Sequence, residues 1–327
     1  MLVSHSGATL QGPGVRLFKL QNRHLGRKAF EMQSVREEVR KSAVGDYLLF
    51  DRETRAPKKK LPKGTVDSQI HLFGPLDKYP LHETAIYGEP SADFAASRRM
   101  HRALGVERCV LVQSHMYGHA HECMLDALAE GGDVYRGCGL IDDSTPDSEL
   151  QRLHDAGVRG ARFNFYRKVK HVFDGPSFKR TVARIADMGW YVKIHPEDGE
   201  LEAIEDLLSP LKMPVLIDHL ARPATPDPED PTVKCAIRLL GKGNVYIMLS
   251  NPHRFTNDAQ YTDLVPMIRA YVDAAPDRCV WATDWPHPLT TKRMPNDGEL
   301  ADFILDICDD SECQAIFVDN PVRLFGY

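Results

Sequence analysis

The sequence predicts an α/β fold, a (β/α)8 TIM barrel with an N-terminal extension, and three observations predict it. From Thr65 onward, short β-rich apolar runs alternate with segments of helical apolar spacing, the pattern of parallel strands joined by crossover helices. The runs number eight, at which side chains just fill a closed barrel. Polar residues gather at the C-terminal ends of these runs, where a barrel carries its active site: Gln69, His71, Asn164, His195, His219, Ser250 and Asp284. An open doubly wound sheet is the competing fold, and this polar placement favours the barrel.

Residues 1–63 lack the βα rhythm and are read as the extension; 64–327 form the barrel domain. Within the extension, Lys28–Ser42 suits a helix, and Tyr47–Phe50 suits a strand packing on the barrel or on a partner subunit. The charged stretch Arg52–Lys63, with Lys58-Lys59-Lys60, reads as a solvated linker. The eight strands are expected at Thr65–Phe73, Arg108–Ser114, Tyr135–Ile141, Val158–Phe165, Trp190–His195, Pro214–His219, Asn244–Ser250 and Arg278–Thr283. Helices are expected between them, among others at Ala92–Leu104, His121–Glu130, Asp147–Ala156, Ser177–Met188 and Thr262–Ala274.

Composition narrows the function classes. A hydrophobic content of 43% with 27% charge is that of a globular protein, and a net charge of -5 gives no reason to expect nucleic acid. The apolar runs are strand-sized, so no membrane span is expected. Met1–Leu20 has no apolar signal core, which points to the cytoplasm. Seven cysteines without CxxC spacing suit reduced core thiols rather than disulfides or a thiolate zinc site. The chain has no GxGxxG, Walker loop or GxSxG elbow, which disfavours nucleotide use and serine-hydrolase chemistry.

The candidate chemistry comes from convergence rather than from one motif. In Val66-Asp67-Ser68-Gln69-Ile70-His71, strand alternation sends Gln69 and His71 to one side, the barrel mouth. His195 closes the fifth strand, His219 the sixth, and Asp284 the eighth. Three imidazoles and one carboxylate therefore meet. Histidine stabilises an oxyanion or moves protons near neutrality, and a buried carboxylate acts as base toward water. Arg162, Arg222 and Arg254 point to the same mouth, and the planar guanidinium fork suits a substrate with one or two carboxylates. Salt bridges to loop acids such as Asp218 or Glu197 are the competing use of these arginines.

Five stretches in order carry a family resemblance: Val66 to Pro75; Gly160-Ala161-Arg162-Phe163-Asn164-Phe165; Asp218-His219-Leu220-Ala221-Arg222-Pro223; Thr283-Asp284-Trp285-Pro286-His287-Pro288; and Asn320 to Gly326. Over Gly64–Tyr327 the chain resembles the amidohydrolase superfamily (amidohydrolase-related family 2), in the branch of 2-pyrone-4,6-dicarboxylate lactonases and related lactone hydrolases. The resemblance implies a hydrolase that opens the lactone ring of a carboxylated pyrone, muconolactone or sugar-acid lactone, in the catabolism of aromatic compounds. Asp284 would activate water, His71, His219 and Gln69 would polarise the carbonyl, and Arg162, Arg222 and Arg254 would hold carboxylates. His195, Asn164 and Lys168, with Arg167 beside it, complete the implied substrate contacts.

The chain leaves the family pattern at two places. Gln69 replaces the first histidine of the usual HxH pair, and an amide is a poor ligand for a transition metal. No lysine for carbamylation stands on strand four. Catalysis without a metal is therefore expected. Against this, His195 resembles a strand-five metal ligand of the decarboxylase branch, so that His71, His195 and Asp284 could hold one divalent zinc or manganese ion. The alternative function is accordingly a metal-dependent decarboxylase or hydratase of a carboxylated aromatic or dicarboxylic acid. A barrel that only binds a ligand is a third reading. The expected partner is a small carboxylated substrate, with the protein a monomer or homo-oligomer.

Overall fold

The computed structural model describes residues 45–168 and 173–327. The helix expected over Lys28–Ser42 lies outside them. The described residues form one compact unit. Its sheet consists of β1 (Val66–Ile70), β2 (Arg108–Val112), β3 (Tyr135–Leu140), β4 (Val158–Asn164), β5 (Tyr191–His195), β6 (Val215–Ile217), β7 (Val245–Leu249) and β8 (Cys279–Trp281), hydrogen-bonded in sequence order. Each pairs in parallel with the next. The circle closes through a parallel bridge between Ile70 and Trp285 and through two backbone bonds, from Asp284 N–H to the Gln69 carbonyl (3.0 Å) and from His71 N–H to the Trp285 carbonyl (2.8 Å). The seam of the barrel is therefore the place where the predicted catalytic carboxylate is fixed.

All eight strands stand where the sequence puts them; β5 ends at His195 as expected, and the other seven stop one to three residues short at the C-terminal end. The reason is functional geometry. At β6 the backbone leaves the ladder after Ile217, and His219, Leu220, Ala221 and Arg222 all take positive φ, between 48° and 62°. Such a run is costly for residues with a Cβ; it turns His219 and Arg222 over the mouth.

Alternation divides the strand residues into two packed layers. Val66, Val110, Val112, Cys138, Tyr191, Leu216, Tyr246, Met248, Val280 and Ala282 fill the barrel together with Leu324 and Phe325. The last two come from the closing helix Asn320–Phe325, and the Phe325 ring meets Tyr191 edge-on at 5.2 Å. At Gly160 a Cβ would lie 2.4 Å from the Tyr191 ring, so only glycine leaves room for that tyrosine. Outward residues such as Val192, Ile194, Ile217, Ile247 and Trp281 pack under the helices.

Those helices begin with α1 (Phe94–Leu104), α2 (Glu122–Gly131), α3 (Asp147–Asp155) and α4 (Gly175–Ala186). The α1 terminus is set by Asp93, whose side chain accepts from Ala96 N–H, and by Gly105 in the left-handed region. Asp174 caps α4 in the same way, with Pro176 in its first turn.

The segment 45–63 packs on this barrel without joining the sheet. Leu48 N–H bonds the Thr290 carbonyl (2.9 Å), and Phe50 packs edge-on against Trp285 at 4.8 Å. Trp285 is fully buried, a gain of about 2–3 kcal/mol by apolar transfer. Tyr47–Phe50 thus covers the loop that carries Asp284. All seven cysteines are free. Among the described residues no helix is long and apolar enough to cross a membrane.

Candidate active site

Each strand end delivers one or two polar groups to a single pocket at the C-terminal mouth. Its lining includes His71, Arg162, His195, His219, Arg222, Arg254 and Asp284, seven of the residues expected there. Ser114, His115 and Met116 from the turn after β2, and Tyr166, Asn251, Pro288 and Leu289, complete it. Gln69, Asn164 and Lys168 do not line it. Asn164 bonds the Tyr166 backbone at both its amide nitrogen (3.0 Å) and its oxygen (3.3 Å), shaping the loop after β4. Lys168 is exposed, its ammonium 5.5 Å from the Tyr47 ring. Gln69 is wholly buried, and its amide donates to Asp284 Oδ1.

Asp284 sits in the left-handed region at φ 60°. Its second oxygen, Oδ2, accepts from Asn251 Nδ2 at 2.7 Å. His71 faces Oδ1 through Nε2 at 3.4 Å, while its Nδ1 lies 2.8 Å from the Val112 carbonyl. A carbonyl only accepts, so Nδ1 carries a proton. Burial alone would raise the Asp284 carboxyl, but the hydrogen bond with His71 and the Arg254 guanidinium oppose it, and the group is held well below the usual carboxylate range.

His219 lies opposite. Burial pushes it down to about 3, against the pull of Asp284 and Asp218, so the ring is neutral at working pH. Its Nδ1 is 2.8 Å from Ser250 Oγ and 3.2 Å from Asn251 Nδ2. His195 is also neutral, lowered first by burial and then by Arg222 and Arg162. Arg162 Nη2 donates to its Nδ1 at 2.7 Å, which places the His195 proton on Nε2, a buried nitrogen without a protein partner. Its ring stacks parallel on Tyr166 (5.4 Å, 4°), and the Arg222 guanidinium lies 4.3 Å from the Tyr166 ring centroid. Arg222 also pairs with Asp198 at 2.5 Å, and Arg254 donates to the Pro288 carbonyl. All three arginines line the pocket, which has one carboxylate, and their Nε atoms are buried with no protein hydrogen-bond partner.

Whether these residues suit a metal is decided by what already occupies their lone pairs. The expected set of His71, His195 and Asp284 does not gather as ligands: the Gln69 amide nitrogen donates to Asp284 Oδ1 and stands 3.5 Å from His71 Nε2, where an ion bridging the two would sit. His195, Asp218 and His219 do lie close enough together to hold an ion. Of these, however, Asp218 is bonded by the fully buried Lys193 ammonium, and Arg162 stands 4.0 Å from its other oxygen. A divalent cation there would face two fixed positive charges, and the donor set does not fit it.

Seven of the lining residues lie outside the predicted set, Asn251 and Tyr166 among them, and so does one interior charge behind the pocket. Asn251, in Ser250-Asn251-Pro252, takes φ 58° just past β7; an Asn before Pro at a strand end is the signal that points to it. Tyr166 follows Asn164 by two residues. Lys193 shares a face of β5 with His195, so alternation alone places its ammonium inside the barrel.

Comparison with known proteins agrees with this architecture. A family model described as Amidohydrolase matches residues 66–327, and the chain belongs to that family. It is 36% identical over 281 residues to the 2-pyrone-4,6-dicarbaxylate hydrolase of Comamonas testosteroni, covering 82% of this chain and 92% of that one. The 4-sulfomuconolactone hydrolase of Hydrogenophaga intermedia is 34% identical over 274 residues, covering 81% and 90%. Among solved structures, a putative 2-pyrone-4,6-dicarboxylic acid hydrolase from Pseudomonas putida superposes with a TM-score of 0.70 at 23% identity, over 81% of this chain and 98% of that one.

Proposed function

We propose that this enzyme hydrolyses the ring ester of a small lactone bearing one or two carboxylates: a pyrone, a muconolactone or a sugar-acid lactone. The observation that carries the reading is the pocket itself, which one ionised carboxylate, Asp284, shares with the neutral imidazoles of His195 and His219 and with three arginines. Similarity to curated lactone hydrolases over more than four-fifths of the chain supports the same reaction class.

In this reading Asp284 takes a proton from water as its oxygen adds to the lactone carbonyl. His71, with Nδ1 committed to Val112, turns Nε2 toward the place where that water is ordered. His219 donates to the carbonyl oxygen as charge develops there. The tetrahedral adduct then breaks the ring C–O bond, and the departing oxygen takes the proton back from Asp284, giving a hydroxyl and a carboxylic acid that ionises and releases its proton to solvent. Arg162, Arg222 and Arg254 hold the substrate carboxylates, with His195 contributing Nε2–H. Asp284 is a weak base, so its strength as catalyst rests on position and on oxyanion stabilisation rather than on proton affinity.

No metal enters this scheme, because the donor set does not suit one. The test is a panel of carboxylated lactones and pyrones, each paired with its uncharged analogue, assayed by proton release before and after chelation with EDTA. Ring opening of a carboxylated member at a rate unchanged by EDTA is expected. Activity that tracks stoichiometric zinc or manganese would instead support the decarboxylase or hydratase reading.

A further inference from the structure

The amide of Asn251 stands between the two groups that the proposed reaction needs in opposite protonation roles. Its nitrogen is 2.7 Å from Asp284 Oδ2 and 3.2 Å from His219 Nδ1, and the residue is almost fully buried. A primary amide has two N–H bonds, enough for one to each partner. The opposite orientation would set the amide oxygen 2.7 Å from a carboxylate oxygen, two acceptors in contact. The carboxylate therefore fixes which way the amide points.

That orientation has a consequence one residue further on. Because the Asn251 nitrogen only donates, His219 Nδ1 must offer a lone pair to it. The Ser250 hydroxyl at 2.8 Å could either donate to or accept from Nδ1, so it leaves the choice open; Asn251 removes it. A neutral imidazole with a lone pair on Nδ1 carries its proton on Nε2. We propose that Asn251 is a positioning residue that locks His219 in the Nε2–H tautomer, making it a donor to the lactone carbonyl, and ties that tautomer to the orientation of Asp284. The left-handed backbone at Asn251, φ 58°, is what aims the amide between them; asparagine adopts it with little strain.

The proposal rests on the lactonase reading for its kinetic consequence, but not for its structural one. Asn251→Gly keeps the left-handed turn and removes the amide. The first measurement is made without substrate. Imidazole 15N shifts in selectively labelled protein should show His219 protonated at Nε2 in the wild type and a mixture of tautomers in Asn251→Gly. Ser250→Ala should leave the wild-type tautomer unchanged.

The second measurement is kinetic. A mixture leaves only the Nε2–H fraction competent, so kcat in Asn251→Gly should fall at least in proportion to that fraction, about two- to tenfold, with KM within about threefold, since no substrate-carboxylate contact is removed. A His219 tautomer that stays Nε2–H in Asn251→Gly overturns the proposal, and so does an unchanged kcat. If Asp284→Asn retained full activity the base assignment would fall, while the 15N result would still decide the role of Asn251.

Discussion

Asp218 and Asp284 occupy matching positions, one just past β6 and the other just past β8, and neither is exposed to more than a trace of solvent. Their neighbours differ in kind. Asp218 is met by the Lys193 ammonium and, at 4.0 Å, by the Arg162 guanidinium, so its charge is cancelled by charge. Asp284 is held by two hydrogen bonds, from the amides of Gln69 and Asn251, which orient it without bringing a formal charge into contact, while the Arg254 guanidinium acts on it only from a distance. Full counter-charge turns a buried carboxylate into framework; neutral donors fix one in place and leave it reactive. Gln69 belongs to this second arrangement, its amide nitrogen donating to Asp284 Oδ1.

The comparison breaks most visibly when each carboxylate becomes an amide. Asp284→Asn should lower kcat for lactone opening by at least about 10³-fold, a barrier increase of about 4 kcal/mol, with the melting temperature held or raised. A rate near wild type would remove Asp284 from the chemistry. Asp218→Asn should do the reverse in kind, leaving Lys193 buried without its counter-ion. A loss of about 3–5 kcal/mol in unfolding free energy is expected, measured by denaturant titration. The double change Lys193→Met with Asp218→Leu should recover most of it, as replacing both members of a buried pair often does.

The sequence shows why one aspartate was legible and the other less so. Asp284 follows an apolar strand and precedes Trp-Pro-His, and position at a strand end was enough to place it, as it was for His71, His195 and His219. Asp218 was readable only as a salt-bridge acceptor for the arginines; its actual partner, Lys193, was hidden in Tyr191-Val192-Lys193-Ile194-His195 because a lysine in a strand is ordinarily read as solvent-facing. Strand ends were overestimated at Pro214–His219 because His219 looks like the end of an apolar run, whereas the backbone there has already turned to positive φ. Asn251 and Gln69 could not be assigned from type or spacing, since their roles lie in which atom donates to which, and that depends on the closed seam. Short or locally capped elements, such as the single turn Glu205–Leu208, carry too few periodic positions to be seen.

The arginines sharpen the contrast at a smaller scale, because they serve the substrate's charge rather than the protein's. Arg254→Gln and Arg222→Gln should each raise KM about 10–100-fold for a carboxylated lactone, the size of one charge-assisted hydrogen bond, with kcat changed little. For an uncharged lactone KM should be indifferent to either change. An equal loss on both substrates would assign these residues to framework, alongside Lys193.

The smallest effect is the dependence of stability on pH, and it tests whether the imidazoles around Asp284 are neutral. His219 is pushed down to about 3 and His121 to about 4 from an ordinary 6.5, and His195 and His253 well below it, with burial the leading cause in each. Each protonates near 6.5 only when the chain unfolds, so the unfolded state binds more protons and stability falls as pH drops below about 6.5. Each contributes at most about 1.4 kcal/mol per pH unit. Glu89 opposes them: burial raises it from 4.5 to about 7, so between those values the folded state binds the extra proton and gains stability on acidification. Four histidines against one glutamate leave a net loss between about pH 6.5 and 4.5, seen as a falling melting temperature. Glu89→Gln should steepen that fall and His121→Gln should flatten it. A melting temperature flat across this window would mean that the imidazoles carry charge in the fold, and with it that Asp284 is compensated by cations in the way Asp218 is.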